Sequence, residues 1–226
     1  MNRLIVKRLM QVIVGTLILA VMLFVSSGRV DWVWAWAYVA VSIGVVVINT
    51  LIILPRNPEL IAERAEAKEN TKGWDRTFTK IATIPYFATP LIAGLDIRFG
   101  WSPQFASATQ LVALILVAAG YGLVSWAMVS NRFFSRTVRI QKDRGHTVTT
   151  AGPYQYVRHP GYVGMLAYSL ATPLLLGSLW ALIPGIFMAC GFIIRTSLED
   201  KTLQEELDGY RDYAQRVKYR LIPKIW

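Results

Sequence analysis

The sequence predicts an all-α protein, a polytopic transmembrane helical bundle of about six membrane helices, and three observations predict it. Hydrophobic residues are 54% of the 226 and the mean hydropathy is +0.40, too apolar for a soluble domain of this size. The apolar residues form long tracts of spanning or near-spanning length. The formal charge of +10 falls almost wholly in the segments between alternate tracts, as the positive-inside rule requires. A single cysteine, Cys190, sits inside an apolar tract, which excludes an intrachain disulfide and a cysteine-based metal cluster.

In chain order, Arg3, Lys7 and Arg8 precede an apolar run over residues 9–25. This run is read as a first spanning helix because no small-x-small cleavage site follows, with Ser26-Ser27-Gly28 keeping a cleaved signal peptide as the alternative. Trp32, Trp34, Trp36 and Tyr38 open a second tract reaching Leu54, and their rings suit an interfacial belt. Pro55 and Pro58 end it. Residues 59–80 are a charged connection in which Asn57 caps, and Pro58 starts, a short solvated helix. The third tract, 81–95, is short; it is expected to kink at Pro85 and Pro90 and can extend at either end. An outer loop, 96–104, leads to a fourth tract, 105–129, where Gly120 and Gly122 would let a neighbouring helix approach. Residues 162–176 and 179–194 form a tight helical hairpin that only just crosses, kinked at Thr172-Pro173 and Pro184-Gly185. The tail from Arg195 is helical in pattern to about Val217.

Six crossings place 22 of the 24 Lys and Arg residues on one face, leaving Arg29 and Arg98 on the other. Both termini and the polar island 141–164 are therefore predicted to face the cytoplasm. The basicity then needs no nucleic acid, and it suits anionic membrane lipids.

The island holds both histidines, His146 and His159, with a turn at Gly152-Pro153 and tyrosines at 154, 156 and 162. Pro160 is placed to start the next helix, where free N–H groups and the positive dipole end can hold a carboxylate. Two readings fit: an interfacial turn that binds lipid phosphate, or a pocket for an amino-acid-like cofactor whose flat groups lie against the tyrosines. Arg195 and Glu199, four residues apart, share a helix face. They are either an ordinary surface ion pair or two separate ligands, Glu199 for a cofactor ammonium or ribose hydroxyls and Arg195 for an acceptor carboxylate or phosphate.

The run His146-Thr147-Val148-Thr149, Gly152-Pro153-Tyr154, Arg158-His159-Pro160-x-Tyr162-x-Gly164, an apolar hairpin, then Arg195-x-x-x-Glu199-Asp200-x-x-Leu203 and Ile222-Pro223 resembles the isoprenylcysteine carboxyl methyltransferases and their relatives, the phospholipid N-methyltransferases. The resemblance implies a membrane methyltransferase that uses S-adenosylmethionine, releases S-adenosylhomocysteine and needs no metal. It implies one domain over 1–226, with membrane helices in 1–130 and a catalytic region in 131–226. Carried onto this sequence, it assigns cofactor contacts to Gln141, His146, Thr147, Val148, Thr149, Tyr154, His159, Pro160, Gly161, Tyr162 and Glu199, and the acceptor to Arg195. The cofactor pocket would be cytoplasmic, made by the loop before the hairpin and by the C-terminal helix. The chain departs from the family at Asp200, where a second Glu is usual, and at Asp208-Gly209-Tyr210, shifted by one residue. The implied acceptor is lipophilic, either the carboxylate of an isoprenylcysteine-like molecule or a lipid amine. A non-catalytic transporter or lipid-binding protein is the alternative of another class; it would place ionisable residues within the spans, and the four N-terminal tracts contain none.

Overall fold

A computed structural model of the chain describes residues 3–66, 68 and 70–226. Met1 and Asn2, in the basic N-terminal segment, and Ala67 and Glu69, in the charged connection, lie outside the described residues. The described residues form α1 (Arg3–Ser27), α2 (Val33–Arg56), α3 (Pro58–Glu63), α4 (Gly73–Phe99), α5 (Ser107–Ser130), α6 (Pro160–Leu175), α7 (Leu182–Glu206) and α8 (Tyr210–Arg216), with no strand among them. The protein is an all-helical, multi-pass membrane protein. Four helices, α1, α2, α5 and α7, are long and apolar enough to span, fewer than the six expected from the tracts. The 16 residues of α6 rise roughly 24 Å, against a hydrocarbon thickness of about 30 Å.

The hairpin is unequal. Its second arm is a helix of 25 residues, not the short segment expected, because Pro184 falls in its first turn. The missing N–H there is one that a helix start leaves unbonded in any case. The helix therefore runs unbroken through Arg195 and Glu199. It stops at Leu207, and Gly209, at φ +78°, turns the chain into α8.

The connection after α2 and the aromatic belt also differ from expectation. The short helix after α2 is solvated on one side only: Asn57 does cap α3 by accepting from Leu60 N–H (3.2 Å), but Leu60 and Ile61 are buried against Ile5 and Ile53. The third tract extends at both ends, as the sequence allowed, to make α4; at its start Asp75 in the first turn complements the helix dipole. The aromatic belt is partial. Trp36 is exposed and its indole donates to Val30 O (2.7 Å), whereas Trp32 is core and the Tyr38 hydroxyl meets that of Tyr168 at 2.5 Å. Successive residues at the start of α2 point around the helix, so only one stripe of them can face lipid.

Of the two glycines on α5, only Gly120 is used for packing. A Cβ there would lie 2.7 Å from Gly164 O, and one on Gly164 of α6 would lie 2.4 Å from Gly120 O. The two backbones touch. At the end of the bundle away from the island, Asp96 is buried and accepts from Ser102 N–H (2.7 Å), Ser102 Oγ (2.5 Å) and Ser178 Oγ (2.5 Å). This staples the end of α4 to the turn between α6 and α7.

Gly164→Val will separate α5 from α6 and destabilise the protein by about 1–3 kcal/mol or more, whereas Gly122→Ala, where a Cβ meets nothing within 4 Å, will not. Thermal unfolding of the two variants in the same detergent checks this, and equal midpoints would refute the close α5–α6 contact.

Candidate functional site

Two fully buried carboxylates organise the island end of the bundle. Asp200 receives Arg158 through Nε (2.7 Å) and Nη2 (3.0 Å), together with His159 Nε2 (3.1 Å), Tyr210 Oη (3.1 Å), Gln204 Nε2 (2.7 Å) and Arg220 Nε (2.9 Å). The remaining donors of Arg158 reach Val217 O and Lys218 O, both at 2.8 Å. The backbone joins in: Arg158 N–H donates to Tyr219 O and His159 N–H to Arg220 O, each at 2.9 Å. The island, α7, α8 and the tail are thereby tied at one point. Because an ionised carboxylate only accepts, His159 presents Nε2–H to it. The departure from the family at Asp200 is thus the structural centre of the motif, a role that its position beside Glu199 did not reveal.

Asp75 is the second carboxylate. It accepts from Arg195 Nε (2.8 Å) and from Val138 N–H (2.8 Å), while Arg195 Nη2 donates to Arg136 O (2.8 Å). The guanidinium lies over Phe78 at 5.0 Å and Tyr162 at 5.6 Å. Arg195 and Glu199 are therefore not an i to i+4 ion pair. Glu199 instead accepts from the Tyr162 hydroxyl. Asp75 was missed because residues 59–80 read as a solvated connection; an acid in the first turn of α4 was the available signal.

A cavity of about 750 Å³ opens beside both carboxylates. Of the residues singled out from the sequence, Gln141, His146, Thr147, Val148, Thr149, Tyr154, His159, Gly161, Tyr162, Arg195 and Glu199 all line it. Pro160 does not; it is buried as the first residue of α6. The cavity continues between the helices, where Val12, Leu19, Val46, Phe87, Met165 and Met188 form its walls. One space thus joins a polar end to an apolar interior, and α1, α2 and α4 contribute to it as well as the C-terminal region.

The side chains at the polar end differ in what they leave free. Gln141 is fully engaged, donating to Phe133 O (2.7 Å) and accepting from Arg144 Nη1 (2.6 Å). His146 packs on Phe133 at 4.5 Å and accepts at Nδ1 from Gln141 N–H (3.3 Å). Burial, with Arg139 and Arg144 nearby, pushes its imidazole down to about 4, so it is neutral at pH 7. Asn131, not anticipated from the sequence, links Tyr154 Oη (3.2 Å) to Thr149 Oγ1 (3.1 Å). Burial raises the Tyr154 phenol well above its ordinary value. Among the described residues the main-chain N–H and C=O groups of Thr147, Val148 and Thr149 have no hydrogen-bond partner, which leaves an open polar edge on the cavity wall. No group of His, Cys, Asp and Glu suited to a metal occurs among the described residues.

Residues 112–205 match the model of the isoprenylcysteine carboxyl methyltransferase (ICMT) family, so the resemblance carried by the motifs is borne out over that stretch. The chain is 34% identical over 114 residues to a protein-S-isoprenylcysteine O-methyltransferase of Schizosaccharomyces pombe, covering 49% of this chain and 48% of the relative. It is 31% identical over 129 residues to that of Mus musculus, covering 51% and 42%, and 28% identical over 121 residues to that of Saccharomyces cerevisiae, covering 53% and 51%. The chain spans about half the length of the relatives it matches.

Asp200→Ala will leave Arg158 and Arg220 without their counter-charge and cost about 3–5 kcal/mol, as expected when one partner of a buried ion pair is removed. Limited trypsin treatment will then cut the released tail, after Arg211, Arg216 or Lys218, faster than in the parent. Lys201→Ala, which removes only an exposed 3.9 Å pair with Glu205, will change neither readout. A tail as protected in Asp200→Ala as in the parent would contradict the tie.

Proposed function

We propose that this chain transfers the methyl group of S-adenosylmethionine to the carboxylate of a lipophilic, isoprenylcysteine-like acceptor at the cytoplasmic face of the membrane. The observation that carries the reading is the single cavity that passes from a polar edge, through Arg195 and Glu199, into the apolar space between helices. A soluble cofactor and a membrane-embedded acceptor need such a junction.

The residues present fit the cofactor. Among the described residues Glu199 has one hydrogen-bond partner, the Tyr162 hydroxyl, and so keeps lone pairs for an ammonium or ribose hydroxyls. The open edge at 147–149 offers both donors and acceptors to an adenine, and His146, being neutral, adds no charge beside it. When bound, the cofactor supplies an activated methyl group together with its own leaving group. What remains for the protein is alignment. Arg195 is held by Asp75 and Arg136 O, which leaves Nη1 without a protein partner among the described residues. That nitrogen can fix one oxygen of an acceptor carboxylate while the other is presented for transfer. A carboxylate needs no general base. An amine acceptor would need one, and His146, whose imidazole burial pushes down to about 4, is a weak base at neutral pH.

Purified protein given methyl-labelled S-adenosylmethionine and a farnesylated cysteine derivative with a free carboxylate will form a base-labile methyl ester. Glu199→Gln will weaken cofactor binding by roughly ten- to a hundredfold, the loss of a charge-assisted hydrogen bond worth about 1.5–3 kcal/mol. Arg195→Lys, which keeps the charge on Asp75 but loses the planar fork, will retain cofactor binding and lose most transfer. A base-stable N-methyl product on lipid amine, or no product from either acceptor, would overturn the assignment.

Orientation is tested in a variant lacking Cys190. Cysteines at the exposed positions Val30 and Gln104 will react with an impermeant maleimide on intact cells. Those at Lys142 and Gln215, also exposed, will react only after permeabilisation, and labelling of Lys142→Cys from outside would reverse the topology drawn from the charges.

A further inference from the structure

Three arginines reach the cavity wall with no carboxylate to answer them. Arg8 on α1, Arg64 just after α3 and Arg136 between α5 and α6 all line it. Among the described residues their contacts are neutral: Arg8 Nη1 to Gln11 Oε1 (3.5 Å), Arg64 Nη1 to Phe134 O (3.1 Å) and Arg136 Nη1 to Arg64 O (3.3 Å). The other arginines that line the cavity are matched, Arg139 by Glu63 and Asp143, Arg158 by Asp200 and Arg195 by Asp75. The unmatched three are close enough to feel one another. Burial pushes the Arg64 guanidinium down to about 9, and the charges of Arg8, Arg136 and Arg195 press in the same direction. It remains charged at pH 7, so the cluster holds three positive charges, Arg8 and Arg64 half-buried and Arg136 at the exposed rim, with no carboxylate partner among the described residues. Such an arrangement is unfavourable until an anion joins it.

The charge and the wall around it select the anion. One carboxylate would balance a single arginine, whereas a phosphate group carries up to about two charges and several acceptor oxygens that guanidinium forks engage in pairs. From Arg8 the same face of α1 continues along the cavity through Val12, Gly15 and Leu19, at the i, i+4, i+7, i+11 spacing of one helix stripe. Cation is followed by apolar wall, the profile of an amphiphile with its charged head at the island end.

We propose that Arg8, Arg64 and Arg136 form a phosphate-binding site for the headgroup of an anionic lipid, whose chain lies along the α1 stripe inside the cavity. The site adjoins Arg195 without including it. It does not depend on the methyl-transfer reading.

The test is equilibrium binding to the purified protein in detergent, followed by thermal shift and intrinsic tryptophan fluorescence, with three probes: dioctanoyl phosphatidic acid, dioctanoylglycerol and inorganic phosphate. The phosphatidic acid will bind saturably and at least about tenfold more tightly than either of the others, since tenfold is a modest 1.4 kcal/mol. Arg8→Gln, Arg64→Gln and Arg136→Gln will each weaken it by about tenfold or more, while Arg29→Gln, on the opposite loop, will not. Each variant is also checked for binding of S-adenosylmethionine, which reports folding of the neighbouring pocket if the methyltransferase reading holds, and by circular dichroism, which does so regardless. Equal affinity for phosphatidic acid and dioctanoylglycerol, or undiminished binding in all three folded variants, overturns the site. Inorganic phosphate binding as tightly as the lipid overturns the amphiphile and leaves a plain anion site in its place.

Discussion

A carboxylate withdrawn completely from water must be met by donors from whatever segments can reach it, and Asp200 shows how much structure that requirement can fix. Its two oxygens receive donors from Arg158, His159, Gln204, Tyr210 and Arg220, which lie on the island, on α7, on α8 and in the tail. Removing any one leaves a buried charge under-satisfied, so these segments hold together or separate together. The entry to α6, the end of α7 and the course of the tail follow from it. So does the direction of Glu199: one residue earlier on the helix, it is turned toward Tyr162 and the cavity.

Asp75 does the equivalent for the two halves of the chain. It sits at the start of α4 and accepts from Arg195 on α7 and from the Val138 N–H between α5 and α6. The residues similar to the methyltransferase family, 112–205, therefore depend on a carboxylate outside the matched stretch to hold their arginine. The cavity is divided in the same way. Its polar edge comes from the matched stretch, whereas Arg8, Val12, Leu19, Val46, Arg64 and Phe87 come from the N-terminal helices. In the methyl-transfer reading, the cofactor end and Arg195 belong to the matched stretch, and much of the apolar wall beyond them is built by the chain's first hundred residues.

Helical membrane architecture, the polar island and most of the residues that line its cavity were legible in the sequence, because each rests on a local property. Runs of apolar residues mark spans, charges mark the loops, Asn57 before Pro58 marks a cap, and the paired motifs around His159 and Glu199 carry the family likeness. The lengths of α4 and α7 were less legible, since charged first and last turns lower the hydropathy of a helix that nevertheless continues. Whether Gly120 or Gly122 packs closely was not legible, because both sit in the same apolar tract and only the position of α6 separates them.

By itself the sequence determined that this is a helical membrane protein with its chemistry gathered at one end, since composition, hydropathy and charge order are summed along the chain and need no partner to be read. Only the tertiary structure decided which ion pairs form: Arg195 with Asp75 and not with Glu199, Arg158 with Asp200, and Arg8, Arg64 and Arg136 with no carboxylate among the described residues. An isolated helix offers a charged side chain neighbours three or four residues away, but in a partly dry interior the partner is the group that packing brings within about 3 Å. Asp75 and Arg195 lie 120 residues apart, and no local pattern specifies that they meet.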